Sequence, residues 1–199
     1  MHAHAECPVC LASKSERVRL TGSLDRDRPS HAAATLSSPD LHLRRLRVLA
    51  RFAPCGALLT ILPGQDGFAR SATQAGWRVT AAGITKTLAA PLLREGLWPA
   101  GSFDAVALCG TLEAVLDPEW VLHLAAHYCR LDGLLLVETW DGEMTGTAGA
   151  SVPRCFTRAA LTTLLARVGF RPAWMGRFPG PETGPEDAVT LCAVAHYAP

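Results

Sequence analysis

The sequence predicts an α/β protein with a doubly wound, mostly parallel sheet. From about residue 57 onward, short apolar runs alternate with segments of helical pattern. This alternation is typical of parallel strands, because each crossover between them needs a helix or a long connection. Two consecutive apolar runs, 170–178 and 187–197, follow the last predicted helix. They predict an antiparallel strand pair at one edge of the sheet.

The length and composition favour one domain with a short appendage. A chain of 199 residues is long enough for one full core, and we place that domain at 37–199 and a polar N-terminal arm at 1–36. The net charge of +1 gives no argument for binding nucleic acid. No apolar run reaches the ~18 residues of a membrane span, and the start lacks the pattern of a signal peptide. We therefore expect a cytoplasmic protein with reduced cysteines.

The first predicted helix begins at Ser38 and Pro39, which suit a cap and a first helical position, and Gly56 follows its end. Its apolar stripe consists of Leu41, Leu43, Leu46, Leu49 and Phe52. Its basic face consists of His42, Arg44, Arg45, Arg47 and Arg51. We expect this basic face to be solvated, with an acidic partner as the alternative.

The remaining elements follow from apolar runs and helix signals. Strands are predicted at 57–62, 77–84, 102–110 and 133–140 before the final pair, and helices at 67–76, 85–96, 117–133 and 157–169. The clearest helix has Asp117 as its cap, Pro118 at its start and Gly133 at its end. Four cysteines in or beside apolar runs are predicted to be small core residues: Cys55, Cys109, Cys129 and Cys192.

Two long phrases resemble the class I S-adenosylmethionine-dependent methyltransferases. "GSFDAVALCGTLEAVLDPEWVLHLAAHYCRLDGLLLVET" is similar to that family from its fourth strand through its fifth, and "CFTRAALTTLLARVGFRP" is similar to its late helix and sixth strand. The resemblance covers about Leu41 to Tyr197. It implies the strand order 3-2-1-4-5-7-6 with strand seven antiparallel, S-adenosylmethionine as cofactor, and methyl transfer as reaction.

The cofactor turn departs from the family pattern. In the family the first strand ends in an acid, and a G-x-G-x-G turn lets backbone N–H groups approach the ligand. Here Thr60 stands at the acid, and the three glycine positions hold Leu62, Gly64 and Asp66. Gly67 is a substitute if the loop shifts by one residue. A side chain at Leu62 is expected to crowd a turn that the family builds from backbone.

The ribose-binding position and the third strand depart as well. Gly83 stands where the family has an acid that binds the ribose hydroxyls, and losing such a charged acceptor costs ~1.5–3 kcal/mol. Only Pro99 and Ala100 separate "LLREGLW" from "GSFDAV", which leaves no room for a strand of ~5 residues. We therefore expect a tight connection at 98–102 and an open edge at the strand 77–84. An open edge favours pairing, so we expect a homodimer or a protein partner there.

The predicted substrate pocket lies beyond the fourth and fifth family strands. Ligands bind at the carboxyl ends of the strands in such sheets. The candidate lining residues are Glu113, Glu138, Trp140 and Asp141. The alternative is a capped loop whose acids face water. Ala114 and Cys155 stand where the resemblance implies histidines.

Two cysteines and two histidines near the start of the chain suit a tetrahedral zinc site. They are His2, His4, Cys7 and Cys10. The family often has a Cys-x2-Cys ribbon with a second cysteine pair, and no second pair follows here. The alternative is therefore a frayed end that is the remnant of such a ribbon.

Two functions fit this sequence. The first is a non-catalytic binding or regulatory protein with a degraded S-adenosylmethionine site, because the turn, the ribose acid and the third strand all depart from the family. The second is a divergent but active methyltransferase with an unknown substrate. Binding of S-adenosylmethionine separates the two.

Overall fold

The computed structural model describes residues 39–62, 67–83, 97–143, 155–179 and 189–199. The described elements, in chain order, are α1 (Pro39–Leu49), β1 (Ala57–Leu62), α2 (Gly67–Gln74), β2 (Arg78–Gly83), β3 (Phe103–Cys109), α3 (Pro118–Tyr128), β4 (Cys129–Trp140), α4 (Arg158–Arg167), β5 (Phe170–Pro179) and β6 (Val189–Tyr197). None of these helices combines the length and the hydropathy that crossing a membrane requires.

The six strands form one sheet in the order β2-β1-β3-β4-β6-β5. The pairs among β1, β2, β3 and β4 are parallel, and β6 is antiparallel to both β4 and β5. The prediction of a mostly parallel sheet with a C-terminal antiparallel pair is therefore confirmed. The order equals the family order without its third strand. Within the described residues β2 is an edge strand. The helix predicted at 85–96 lies wholly outside them.

Helices cover both faces of the sheet, because alternate residues of each strand point to opposite sides. On one face α3 and α4 pack through Leu122 and Leu165 against strand residues such as Val137. On the other face α1 and α2 pack through Leu49 and Phe68 against strand residues such as Leu136. Helix α1 therefore lies on the α2 side of the sheet.

The burial of α1 differs from the sequence prediction. His42 and Arg45 are buried, whereas Leu43 is 49% exposed, so all three were assigned to the wrong side of the helix. The helical period explains the error, since each residue advances by 100° around the axis. The buried residues of α1 span one arc of about 160° around the axis, and Leu43 falls outside it. The prediction that Arg44 and Arg47 face solvent is confirmed.

The boundary between α3 and β4 also differs. The prediction placed the helix end at Gly133, but α3 ends at Tyr128 and β4 begins at once. Tyr128 packs edge-on against Trp98 and Phe103, with ring centroids 5.2 and 6.4 Å apart. Phe103 in turn pairs with Cys129 across the sheet. Because of this packing the helix ends at Tyr128, five residues before the end that Gly133 predicted.

The helix starts were predicted correctly. The Asp117 side chain accepts a hydrogen bond from the Trp120 N–H at 2.9 Å, with Pro118 at the first helical position. The Thr157 hydroxyl caps α4 in the same way, accepting from the Ala160 N–H at 3.1 Å. These caps fix the starts of α3 and α4.

Three of the four cysteines predicted for the core are buried, namely Cys109, Cys129 and Cys192. Cys55 is exposed, so that prediction is wrong. Its thiol lies in the turn before β1 and donates to the Ala75 carbonyl at 3.1 Å. The apolar run that predicted burial begins only after this turn.

Candidate functional site

The carboxyl ends of β1, β2, β3 and β4 lie together at one edge of the sheet. Leu62 and Gly83 are paired at the ends of β1 and β2, and Cys109 and Glu138 are paired near the ends of β3 and β4. Ligands of doubly wound sheets bind outside these ends. This edge is therefore the candidate site.

The predicted cofactor residues are spread along that edge. Thr60 is fully buried within β1 and shares the α1 and α2 side of the sheet with Leu58. Gly67 is the first residue of α2, and Gly83 is the last residue of β2. Gly64 and Asp66 lie outside the described residues. The structure therefore puts Gly67 at the start of α2 and Gly83 at the end of β2, on the carboxyl edge of the sheet.

Helix α1 occupies the space beside the start of α2. A Cβ added to Gly67 would lie 2.6 Å from His42 Cε1, which no real structure tolerates without a shift. The His42 ring also meets the Phe68 ring edge-on, with centroids 6.1 Å apart. The His42 imidazole therefore lies against the N-terminus of α2.

A buried ion pair joins α1 to β4. Arg45 Nε donates to Glu138 Oε2, and the two side chains are 1% and 0% exposed. The Arg45 guanidinium also lies 5.7 Å from the centre of the Phe68 ring. Burial lowers the pKa of Arg45, but Cys109, Glu138 and Cys192 together raise it more, so the guanidinium stays charged. One turn earlier on α1, Leu41 packs against Trp140.

Four enclosed polar atoms around this ion pair have no hydrogen-bond partner among the described residues. They are Arg45 Nη2, Glu138 Oε1, Trp140 Nε1 and Thr190 Oγ1. Trp140 on β4 is opposite Thr190 on β6. One corner of the sheet thus combines two donors, one acceptor and one hydroxyl, all away from bulk water.

Glu113 lies on the loop after β3 and is also enclosed. Neither of its carboxyl oxygens has a hydrogen-bond partner among residues 39–62, 67–83, 97–143, 155–179 and 189–199. Burial raises the pKa of Glu113 to about 8, because the Glu113 backbone, the Thr139 hydroxyl and the Trp140 backbone lower it less than burial raises it. Glu113 is therefore protonated at neutral pH, which makes it a donor rather than an anion.

The Asp141 carboxylate is paired with an arginine of the edge strand β5. Arg177 on β5 donates to both Asp141 and Glu143, and the other oxygen of Asp141 accepts the Glu143 N–H at 2.8 Å. The backbone of Asp141 also pairs with Phe156 in an isolated bridge. Asp141 therefore fixes the loop that follows β4.

The four predicted pocket residues are all buried, and their acids do not face water as the alternative required. Sequence reasoning missed the arginines that neutralise two of them, Arg45 and Arg177. Arg45 was detectable, because it lies four residues after Leu41 and so on the same side of the helix. The pairing of Arg177 with Asp141 was not detectable, because it depends on which strands are neighbours in the sheet.

No group of three His, Cys, Asp or Glu side chains within the described residues is arranged to hold a metal. The four zinc candidates, His2, His4, Cys7 and Cys10, lie outside them, as does the proposed arm at 1–36. Cys155 is described; it is half-buried, and its sulfur would lie 3.4 Å from a Cβ added to Gly142.

No protein-family model matches the sequence, and no curated protein matches it significantly. Solved structures do match. One is 1,6-didemethyltoxoflavin-N1-methyltransferase of Burkholderia thailandensis with bound 1,6-didemethyltoxoflavin and S-adenosylhomocysteine, which is 17% identical over 85% of this chain and 84% of its own, with a TM-score of 0.64. A second is a SAM-dependent methyltransferase of Aquifex aeolicus, 13% identical over 86% of this chain and 100% of its own, with a TM-score of 0.61.

A third is geranyl diphosphate methyltransferase in complex with GPP and sinefungin, 12% identical over 78% of each chain, with a TM-score of 0.60. At these identities the similarity concerns the fold. The strand order, the antiparallel strand β6 and these neighbours agree with one another. The chain has the fold of the class I S-adenosylmethionine-dependent methyltransferases.

Proposed function

We propose that this protein is a methyltransferase-like binding protein that binds S-adenosylmethionine weakly or not at all and transfers no methyl group. The observation that carries this proposal is the contact of His42 with Gly67 at the start of α2. The proposal concerns the affinity for the cofactor. The fold does not distinguish the two candidate functions, because both use it.

The N-terminus of a helix at this edge is a favourable place for an anionic ligand group, because the helix dipole is positive there. The His42 ring lies beside Gly67, so close that a Cβ added to Gly67 would lie nearer to it than van der Waals distance. His42 is 4% exposed, so its ring has little room to move away. The described residues at the start of α2 therefore fit the cofactor poorly.

Gly83 supports the same proposal. It ends β2 beside Leu62, and the family resemblance implies at this position an acid that binds the ribose hydroxyls. Glycine has no side chain to accept those hydrogen bonds, and the loss of a charged acceptor costs ~1.5–3 kcal/mol. That loss weakens binding by roughly ten- to hundred-fold.

The second candidate is a divergent but active methyltransferase. Two of the structural neighbours hold S-adenosylhomocysteine or sinefungin. The enclosed acids at the carboxyl edge, including Glu113, are also compatible with a substrate site. Such an enzyme would act mainly by holding its two substrates in line for direct methyl transfer.

Calorimetric titration with S-adenosylmethionine and S-adenosylhomocysteine tests the proposal. We expect dissociation constants above about 100 µM for the wild type. Gly83→Asp alone is expected to improve binding less than tenfold, because the turn and His42 are unchanged. Gly83→Asp with His42→Ala is expected to improve it further.

A wild-type dissociation constant in the low micromolar range would overturn the proposal and favour the divergent enzyme. Arg167→Met is the control variant. It alters an exposed ion pair with Glu119 on the other face of the sheet and leaves the candidate site intact.

A further inference from the structure

We infer that the corner between α1, β4 and β6 binds a neutral molecule that presents an imide or lactam edge, a ring N–H beside carbonyl oxygens. The inference rests on the four unpartnered polar atoms of Arg45, Glu138, Trp140 and Thr190. It adds a ligand class to the proposed binding function. It does not depend on whether S-adenosylmethionine binds.

The four groups share one face and one corner of the sheet. Leu41 packs on Trp140, and Arg45, one helical turn later, bonds to Glu138, two residues earlier on the strand. Four helix residues advance about 6 Å and two strand residues about 6.6 Å, so the two contacts match in spacing. Their order along the chain is opposite, so α1 runs antiparallel along β4. Thr190 is directly opposite Trp140, which puts its side chain on that same face.

The chemistry of the unpartnered atoms defines the ligand. Arg45 Nη2 and Trp140 Nε1 are donors only, whereas Glu138 Oε1 is an acceptor only. The Thr190 hydroxyl serves as either. A matching ligand presents two acceptors and one donor, as the O=C–N(H)–C=O edge of an imide does.

The charge of the corner favours a neutral ligand. The Arg45 guanidinium and the Glu138 carboxylate are paired, so their charges cancel locally. An anionic ligand would place a second negative charge near Glu138, and a cationic ligand would place a second positive charge near Arg45. A planar neutral ring also packs well beside the Trp140 indole.

Leaving four polar groups unsatisfied inside a protein is costly, because each loses its hydrogen bonds to water. A second bond between Arg45 and Glu138 would satisfy two of the four atoms. Trp140 Nε1 and Thr190 Oγ1 would still need partners. These two residues therefore carry the decisive test.

The probes are uracil, which has an imide edge, and 3-methyluracil, in which a methyl group replaces the N–H of that edge. Titration of the purified full chain followed by NMR or calorimetry gives the two affinities. We expect uracil to bind with a dissociation constant on the order of 1 mM, as suits a small fragment. We expect 3-methyluracil to bind at least tenfold more weakly.

Two conservative variants separate ligand binding from a structural role. Thr190→Val removes the hydroxyl with little change in shape, whereas Trp140→Phe removes the indole N–H together with one ring of a buried side chain. Each is expected to weaken uracil binding about fivefold, the effect of one hydrogen bond. The urea midpoint of ligand-free Thr190→Val is expected to stay unchanged or rise, because an unsatisfied buried group has been removed, whereas Trp140→Phe is expected to lower it through the cavity that it leaves.

Trp120→Phe, on α3 at the other face of the sheet, is the matched control and should leave uracil binding unchanged. A lower urea midpoint for Thr190→Val would overturn the inference, because its hydroxyl would then be bonded within the chain. Equal affinities for uracil and 3-methyluracil would overturn it as well. So would no binding of either at about 10 mM, roughly ten times the expected dissociation constant. Tight S-adenosylmethionine binding would overturn only the proposed function.

Discussion

Arg45 on α1 and Glu138 on β4 form an ion pair that is completely enclosed, although 93 residues separate them in the sequence. The pair fixes the first described helix across the carboxyl edge of the sheet. It brings His42 against the start of α2 and Leu41 against Trp140. The contents of the candidate site therefore depend on how this helix docks.

Removing one partner of that pair should destabilise the protein strongly. Arg45→Met leaves Glu138 as an unpaired buried charge, so we expect the free energy of unfolding to fall by about 3–5 kcal/mol. The double variant Arg45→Met with Glu138→Leu removes both charges at similar volume and should lie within about 1–2 kcal/mol of the wild type. Urea unfolding measures both.

The exposed pair Arg167–Glu119 provides the control for the buried one. Arg167→Met is expected to change the free energy of unfolding by no more than about 1 kcal/mol. If Arg45→Met costs as little as Arg167→Met, the enclosed pair between α1 and β4 does not exist in solution.

Glu113 should make the protein less stable as the pH rises. Its pKa is about 8 in the folded protein against an ordinary 4.5 in the unfolded chain. Below pH 4.5 both states hold the proton, and the stabilising contribution is fully present. Between pH 4.5 and pH 8 only the folded state holds it, so the free energy of unfolding falls by about 1.4 kcal/mol per pH unit.

Glu113→Gln removes this titration, and its free energy of unfolding should vary less with pH. Urea unfolding at pH 5, 7 and 9 compares the two proteins. At pH 9 the variant is expected to be the more stable protein, because the wild type then carries a buried anion. Parallel pH curves for the two proteins would show that Glu113 is not enclosed.

Gly67→Ala should reveal the contact between α1 and α2. The added methyl group would lie 2.6 Å from His42 Cε1, so either the ring or the helix must shift. We expect the free energy of unfolding to fall by about 1–3 kcal/mol, the usual cost of overpacking. In a His42→Ala background the same substitution should cost close to nothing. Equal costs in both backgrounds, measured as a double-mutant cycle, would place the two residues apart.

The edge of the sheet at β2 should pair with a second copy of the chain. Light scattering over a wide concentration range is expected to show a dimer. Ala81 is exposed on β2, and Ala81→Lys adds a charge of the kind that blocks pairing between sheet edges. The variant is expected to be monomeric, whereas Ala75→Lys, in the exposed turn before β2, should remain a dimer. A wild-type monomer at every concentration would contradict self-pairing.

The sequence alone determined the fold class, because its signals are local or periodic. Apolar runs gave the strands, and Asp117 and Thr157 gave the helix starts. Spacing gave the tight connection before β3. The two final apolar runs gave the antiparallel pair. Each of these features depends on neighbouring residues, so a linear pattern is enough to predict it.

Tertiary structure decided the side of α1 that is buried, the end of α3 and the pairing of the acids. The buried arc of α1 depends on which sheet face receives the helix, so Arg45 and His42 were assigned to solvent. The helix α3 ends at Tyr128 because an aromatic cluster from distant residues packs there. Glu138 finds Arg45, and Asp141 finds Arg177, only because the sheet order brings them together. Contacts across 36 or 93 residues leave no periodic trace in a single sequence, and they define the chemistry of this site.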